Sequence, residues 1–190
     1  MLRTLHKFTS DESLYVKFAK GSASAFEALY QRHKDGLFAY LYRSRLDRQV
    51  IEEIAQDTWL AIIDSAQDYK GTAKFRTFLF AIAHRKLVDY WRRNGNENAM
   101  LREDTNGQPV TDSLSSGAAG TPENMELTMD LLQALESLSR EQQQAYLLKE
   151  EGFSRKEIAV MTGTSEETIK SRIRYANNHL RRLLEVQYAE

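Results

Sequence analysis

The sequence predicts an all-α protein made of two small helical domains joined by a flexible linker, the C-terminal one a helix-turn-helix. Three observations predict it. Apolar residues recur at three- and four-residue steps in both ends of the chain, the period of a helix with one buried face. Three of these runs open with Ser followed three residues later by Glu or Gln, a pairing that satisfies two orphan amides at a helix start. Strand-type alternation is absent, and both prolines, Pro109 and Pro122, fall in one stretch, 94–124, that is rich in Gly, Ser, Thr and Asn. Such a composition buries too little apolar surface to offset the entropy of ordering it. The boundaries are therefore drawn at 1–94, 95–127 for the linker, and 128–190.

Taken in order, Ser24 with Glu27 predicts the cap of a first long helix, with Phe26, Leu29, Tyr30, His33, Leu37, Phe38 and Leu41 inward. A second helix is expected over roughly 48–66, with Ile51, Ile54, Ala55, Thr58, Ile62 and Ile63 on one face. A third covers about 74–93 and turns Phe75, Phe78, Leu79, Ile82 and Ala83 inward. Beyond the linker, Leu131, Leu135 and Leu138 form a stripe, and Ser139 with Gln142 caps a helix ending near Gly152. Ser154 with Glu157 opens a short helix that Gly163 breaks; glycine takes the positive φ of a tight turn without strain. Ser165 caps the last helix, with Glu166 and Glu167 complementing its dipole and Ile169, Ile173, Ala176, Leu180 and Leu183 inward.

Composition excludes several functions. The 190 residues contain no Cys, which removes disulfides, thiolate nucleophiles and zinc-cysteine sites. His6, His33, His84 and His179 are scattered, with no pair at metal-ligand spacing. Adjacent Glu52 and Glu53 point in different directions on a helix and make a poor acid–base couple. No phosphate-cradling glycine loop or nucleophile motif is present. The expectation is a non-enzyme without metal or cofactor. No apolar run approaches the roughly 20 residues of a membrane span and the N-terminus lacks a signal-like stretch, so the protein is expected to be cytoplasmic and not inserted in a membrane.

A net charge of −1, from 26 Lys+Arg against 27 Asp+Glu, hides strong segregation. Window 49–68 holds five acids and no base, 70–93 seven bases and one acid, and 168–182 five bases and no acid. In the last of these, the outward face carries Lys170, Ser171, Arg174, Tyr175, Asn177, Asn178, Arg181 and Arg182. A capped short helix, a glycine turn, a second cap and a basic face, in that order, are the pattern of a DNA-binding helix-turn-helix. Window 69–93 interleaves bases with Tyr69, Phe75, Phe78, Phe80, Tyr90 and Trp91. Basic residues suit a phosphate backbone, and aromatic faces suit unpaired bases. Phe75, Phe78 and Leu79 keep core spacing; Tyr69, Lys70, Gly71 and Lys74 lie in a loop. The acidic helix suits a basic protein partner, with Ile54 and Trp59 as apolar anchors.

The blocks IEEIAQDTW, FRTFLFAIAHRKLVDYWRR and EIAVMTGTSEETIKSRIRYANNHLRRLL, in that order around a variable linker, resemble bacterial sigma factors of the extracytoplasmic-function class. The resemblance covers roughly 12–93 and 128–185. It implies a non-catalytic subunit that binds RNA polymerase core, recognises the −35 and −10 elements of promoter DNA and melts the latter, under the control of an anti-sigma factor. It implies polymerase contacts at Glu52, Glu53, Ile54, Gln56, Asp57 and Trp59. For the −10 element it implies Tyr69, Lys70, Gly71, Lys74, Phe75, Arg76, Arg85, Lys86, Tyr90, Trp91, Arg92 and Arg93, the loop forming a pocket for a flipped base. For the −35 element it implies Ser165, Glu167, Thr168, Lys170, Ser171, Arg172, Arg174 and Tyr175. Two departures bear on promoter sequence: Arg85 stands where the family often has Asn, and Tyr175-Ala176 where it often has Arg-Ala.

From the residues alone a second reading stands beside this one: an operator-binding regulator in which residues 1–94 dimerise or sense. It leaves the juxtaposed acidic and aromatic-basic helices unexplained.

Overall fold

The computed structural model describes residues 9–69, 74–95 and 131–187. The N-terminal module comprises α1 (Asp11–Ala19), α2 (Ala23–Tyr42), α3 (Arg48–Asp64), a 3-10 turn (Ser65–Asp68) and α4 (Phe75–Gly95). The C-terminal module comprises helical residues 131–136 (α5), α6 (Arg140–Glu150), α7 (Arg155–Thr162) and α8 (Glu166–Gln187). No strand occurs among the described residues. The linker lies almost wholly outside them.

Local signals set most helix starts. Ser139 and Gln142 form a reciprocal capping box on α6, and Ser154 and Glu157 another on α7. Gly163 ends α7 at φ 64°, a left-handed conformation that glycine adopts freely. Ser165 Oγ accepts from the Thr168 amide at 3.1 Å and starts α8. The Ser24–Glu27 box does not form. Gly21 turns the chain at φ 97° and α2 begins earlier, at Ala23, which places Ser24 inside the first turn. Glu27 instead accepts from Gln31 Nε2 at 2.8 Å.

Leu14, Tyr15, Leu29, Leu37, Leu41, Ile51, Ile62, Phe75, Leu79 and Leu87 fill the first core, all but fully buried. Tyr15 anchors α1: its hydroxyl donates to the Ile62 carbonyl at 2.6 Å, and its ring packs against Phe75. Leu135, Ala145, Leu148, Ile158, Ile169, Ala176 and Leu180 fill the second. Small Ala159, also buried, lets α7 and α8 cross closely, as its size predicts. Leu183, expected inward, is 38% exposed.

The two modules pack together, α7 against α4. Phe80 meets Phe153 edge to face at 5.0 Å. Beside them runs a buried polar chain: the Tyr40 hydroxyl bonds Gln144 Oε1 and lies 3.2 Å from His84 Nδ1, while Gln144 Nε2 donates to Ser44 Oγ at 3.1 Å. Burial holds His84 down at about 4, outweighing the raising effect of Gln144, so its ring is neutral at physiological pH. Phe80 and His84 are therefore interior residues of the joined molecule, a role that helical spacing within α4 alone does not disclose.

Candidate polymerase and nucleic-acid interfaces

The acidic helix α3 buries two of its expected protein-contact residues. Ile54 and Trp59 are 6% and 8% exposed, and the Trp59 ring packs against Phe26 and Tyr30 at 5.8 and 5.1 Å. They belong to the core because they share α3's inward stripe with Ile51 and Ile62. The exposed apolar residues lie elsewhere. Leu60 (49%), Ile63 (40%), Tyr30 (36%) and Phe38 (37%) remain open and line, with Ala55 and Trp59, a groove of about 480 Å³ between α2 and α3. Ile63, Tyr30 and Phe38 were all expected inward; a period of 3.6 defines a face but not its width. Glu52 and Gln56 rim the groove, and Glu53 and Asp57 are exposed on the same helix. Asp57 reaches Lys86 of α4 at 3.4 Å.

Of the residues expected at the −10 element, Lys70 and Gly71 lie outside the described residues. Tyr69 is half-buried, its ring 4.7 Å from that of Tyr15 and 5.8 Å from that of Phe78. Phe75 is fully buried, with its ring against Tyr15 and His33. It corrects the expectation of contact with a strand, because it fills the junction of α1, α2 and α4. Its amide donates to Glu12 Oε1 at 3.0 Å, so a side chain of α1 satisfies the first turn of α4.

Arg85 is exposed and Lys86, Tyr90 and Trp91 are half-buried. Trp91 lies beneath Arg140, whose guanidinium is 5.2 Å from the ring. Arg92 and Arg93 are exposed, and both turn to Asp89: Arg92 to its carboxylate at 3.0 Å, Arg93 to its carbonyl at 3.3 Å. Lys74 and Arg76 are engaged across the junction between modules. Lys74 Nζ and Thr77 Oγ1 donate to Glu157 Oε1 at 3.2 and 3.1 Å, and Arg76 Nη2 donates to Glu151 Oε2 at 3.0 Å. Glu157 divides its two oxygens between tasks. Oε1 faces α4, while Oε2 accepts from the Ser154 amide and hydroxyl at 2.9 and 2.7 Å. The Ser154 bonds, with Lys74 and Thr77, hold its carboxyl down at about 2 against the opposing effect of burial.

The helix-turn-helix presents Lys170, Ser171, Arg174 and Tyr175 to solvent on α8. Tyr175 is 51% exposed and stacks on His179. Ser165 is exposed but its hydroxyl serves the cap, with Thr168 half-buried beside it. Glu167 pairs with Lys170 at 3.3 Å. Arg172 turns away from this face: it is half-buried, and its charge acts on His84 and Glu141. Sequence spacing did not reveal that Lys149 of α6 and Arg155 of α7 join Lys170, Arg174, Asn177 and Arg181 in one open groove. These cations lie on three helices, and only the turns that fold the helices together assemble them. The result is a cationic groove suited to a phosphate backbone.

Among the described residues no helix is long and apolar enough to cross a membrane, and no cluster of three or more His, Asp or Glu is placed to hold a metal ion.

The Sigma-70 region 2 family matches residues 29–97, and the Sigma-70, region 4 family matches 128–182. The chain is 32% identical over 159 residues to the ferric citrate uptake sigma factor FecI of Escherichia coli (strain K12), spanning 81% of this chain and 87% of FecI. It is 30% identical over 175 residues to the ECF RNA polymerase sigma factor SigL of Mycobacterium tuberculosis (strain ATCC 25618 / H37Rv), spanning 88% and 93%. In fold it is similar to CnrH, solved in complex with the cytosolic domain of CnrY, with TM-score 0.69, 22% identity and coverage of 93% and 97%. It is also similar to the sigma factor RpoE of Bartonella quintana, solved with the anti-sigma factor NepR, with TM-score 0.70, 23% identity and coverage of 85% and 97%. With both regions matched in order and relatives aligned along most of their length, the chain belongs to the extracytoplasmic-function class of sigma-70 factors.

Proposed function

We propose that this chain is a cytoplasmic, non-enzymatic promoter-specificity subunit. It docks on RNA polymerase core through the α2–α3 groove, reads the −35 element with α8 and opens the −10 element with α4 and its preceding loop. The observation that carries the reading is the pairing, on one chain, of a cationic groove on a helix-turn-helix with a separate acid-rimmed apolar groove on the other module. An operator-binding regulator has use for the first and not for the second.

The chemistry assigns the tasks. Leu60, Ile63 and Phe38 supply apolar area, and Glu52, Glu53, Gln56 and Asp57 supply polar and acidic partners for a basic surface. Residues 69–74 and the outer face of α4, with Arg85, Arg92 and Arg93, suit an unpaired strand; an extruded base costs a few kcal/mol, which stacking and shape offset without ATP. Lys170, Ser171, Arg174 and Tyr175 reach base edges, and Lys149, Arg155 and Arg181 the backbone. Two weak DNA modules on one chain gain from effective concentration once polymerase fixes their separation. In the packed arrangement Lys74 and Arg76 are occupied, so promoter binding requires the modules to part. A structural neighbour, RpoE, solved with the anti-sigma factor NepR, supports control by an anti-sigma protein.

The test is co-purification with polymerase core followed by run-off transcription on a pool of promoters. Core alone stays silent and core with this chain transcribes; no transcription would end the proposal. The charge-reversed pair Glu53→Lys with Asp57→Lys loses core binding while remaining helical.

A further inference from the structure

Two guanidinium groups of the N-terminal module converge on one carboxylate of the C-terminal module. Arg43, which ends α2, places Nη1 3.2 Å from Glu151 Oε1, and Arg76, in the first turn of α4, places Nη2 3.0 Å from Oε2. The Glu151 side chain is only 12% exposed, so water screens these bonds less than it screens a surface pair. Arg76 is also fixed in direction: its guanidinium sits 4.4 Å from the Phe153 ring and 5.1 Å from Phe80. Gly36 borders the same carboxylate, for a Cβ built there would lie 3.7 Å from Glu151 Oε2.

Two guanidiniums, each donating one bond to a different oxygen of one anion, present charge-assisted donors that a phosphate accepts as a carboxylate does. We propose that Arg43 and Arg76 form a phosphate-binding site for the backbone of a single nucleic-acid strand, and that Glu151 fills this site in place of phosphate while the modules are packed. The proposal rests on the −10 reading of α4 and adds to it Arg43, a residue outside the stretches that resemblance singles out. Glu151 and a phosphodiester need the same donors, so binding of the strand and closure of the molecule exclude one another. Whatever stabilises one weakens the other by the same factor. Lys74 and Thr77, held by Glu157 one turn away, are released by the same separation.

The test uses the full chain. Because the protein has no native Cys, cysteines introduced at exposed Gln31 and Lys156 carry a donor and an acceptor dye on the two modules. Energy transfer reports separation, and fluorescence anisotropy of a labelled oligodeoxythymidylate, titrated at several NaCl concentrations, reports strand binding. Glu151→Gln is expected to lower transfer and tighten strand binding about tenfold. Adding Arg43→Ala to that variant is expected to reduce the slope of log affinity against log salt by about 0.7, one phosphate contact on a single strand. Strand affinity that ignores the parting of the modules, or a salt slope that ignores Arg43, overturns the proposal. Where glutamine keeps the molecule closed, Glu151→Arg decides: a closed chain with three guanidiniums at one point overturns it too. Run-off transcription by the wild-type chain with core is read in parallel. Activity there alongside a null result here removes only the phosphate site, whereas inactivity removes the sigma reading itself.

Discussion

Truncating Leu60 and Ile63 together to Ala tests the proposed polymerase-docking groove. Removing about three carbons from each side chain forfeits about 2.4 kcal/mol at full burial. Only the part still open on the free protein, 49% of Leu60 and 40% of Ile63, is newly covered by a partner. Each truncation therefore costs about 1 kcal/mol of docking energy, and the pair about 2 kcal/mol, on the order of 30-fold in Kd. The rest of each side chain is already covered in the free protein, so by the same arithmetic fold stability should fall by about 1 kcal/mol per site. Ile54→Ala provides the contrast: that side chain is 6% exposed, and its loss costs about 2–5 kcal/mol of stability through the cavity it leaves. Competition binding to polymerase core, with urea unfolding of each variant, separates the two effects. Were Leu60→Ala with Ile63→Ala to bind core like wild type while folded Ile54→Ala fails to bind, the docking surface would lie on the other face of α3.

Three further outcomes are expected. Gly163→Ala should lose about 1–2 kcal/mol by urea denaturation, because φ 64° is strained for any Cβ; nothing lies within 4 Å of the added atom, so the cost is backbone alone, and Asn should recover much of it. Glu157 has its carboxyl lowered from 4.5 to about 2 in the folded chain, so the unfolded chain binds more protons between those values. Its stabilisation is complete above about pH 4.5 and disappears as pH falls toward about 2; the stability of Glu157→Gln, followed by urea unfolding at several acid pH values, should fall less over that window. Tyr40→Phe leaves Gln144 Oε1 without its buried donor and should cost about 1–3 kcal/mol. Calorimetry that finds no change would mean water replaces the hydroxyl.

The parts of this molecule that were legible in its sequence are those decided within four residues. The capping boxes at Ser139 and Ser154, the glycine turn at 163 and the inward line Ile169–Ala176–Leu180 depend on contacts a helix makes with itself and one neighbour. Ser24 misled because the same spacing recurs inside a helix, and the turn at Gly21 delivers the chain to α2 before it. Face assignment failed where coverage is decided at long range. Tyr30, Phe38 and Ile63 follow the inward period but the described residues cover them only in part, while Phe80 and His84 are covered by a module that joins the sequence more than 40 residues later. The basic face of α8 could be read from one helix. Its partners Lys149 and Arg155, and the convergence of Arg43 and Arg76, require three helices or two modules to be assembled first.

The division of Glu157 between its two oxygens has a mechanical consequence. The Glu157 bonds that shape the start of α7 run from Oε2 to Ser154, and its bonds to α4 run from Oε1 to Lys74 and Thr77. Letting go of α4 thus leaves the reading head preassembled. The proposed parting of the modules leaves the cap bonds between Ser154 and Glu157 Oε2 intact.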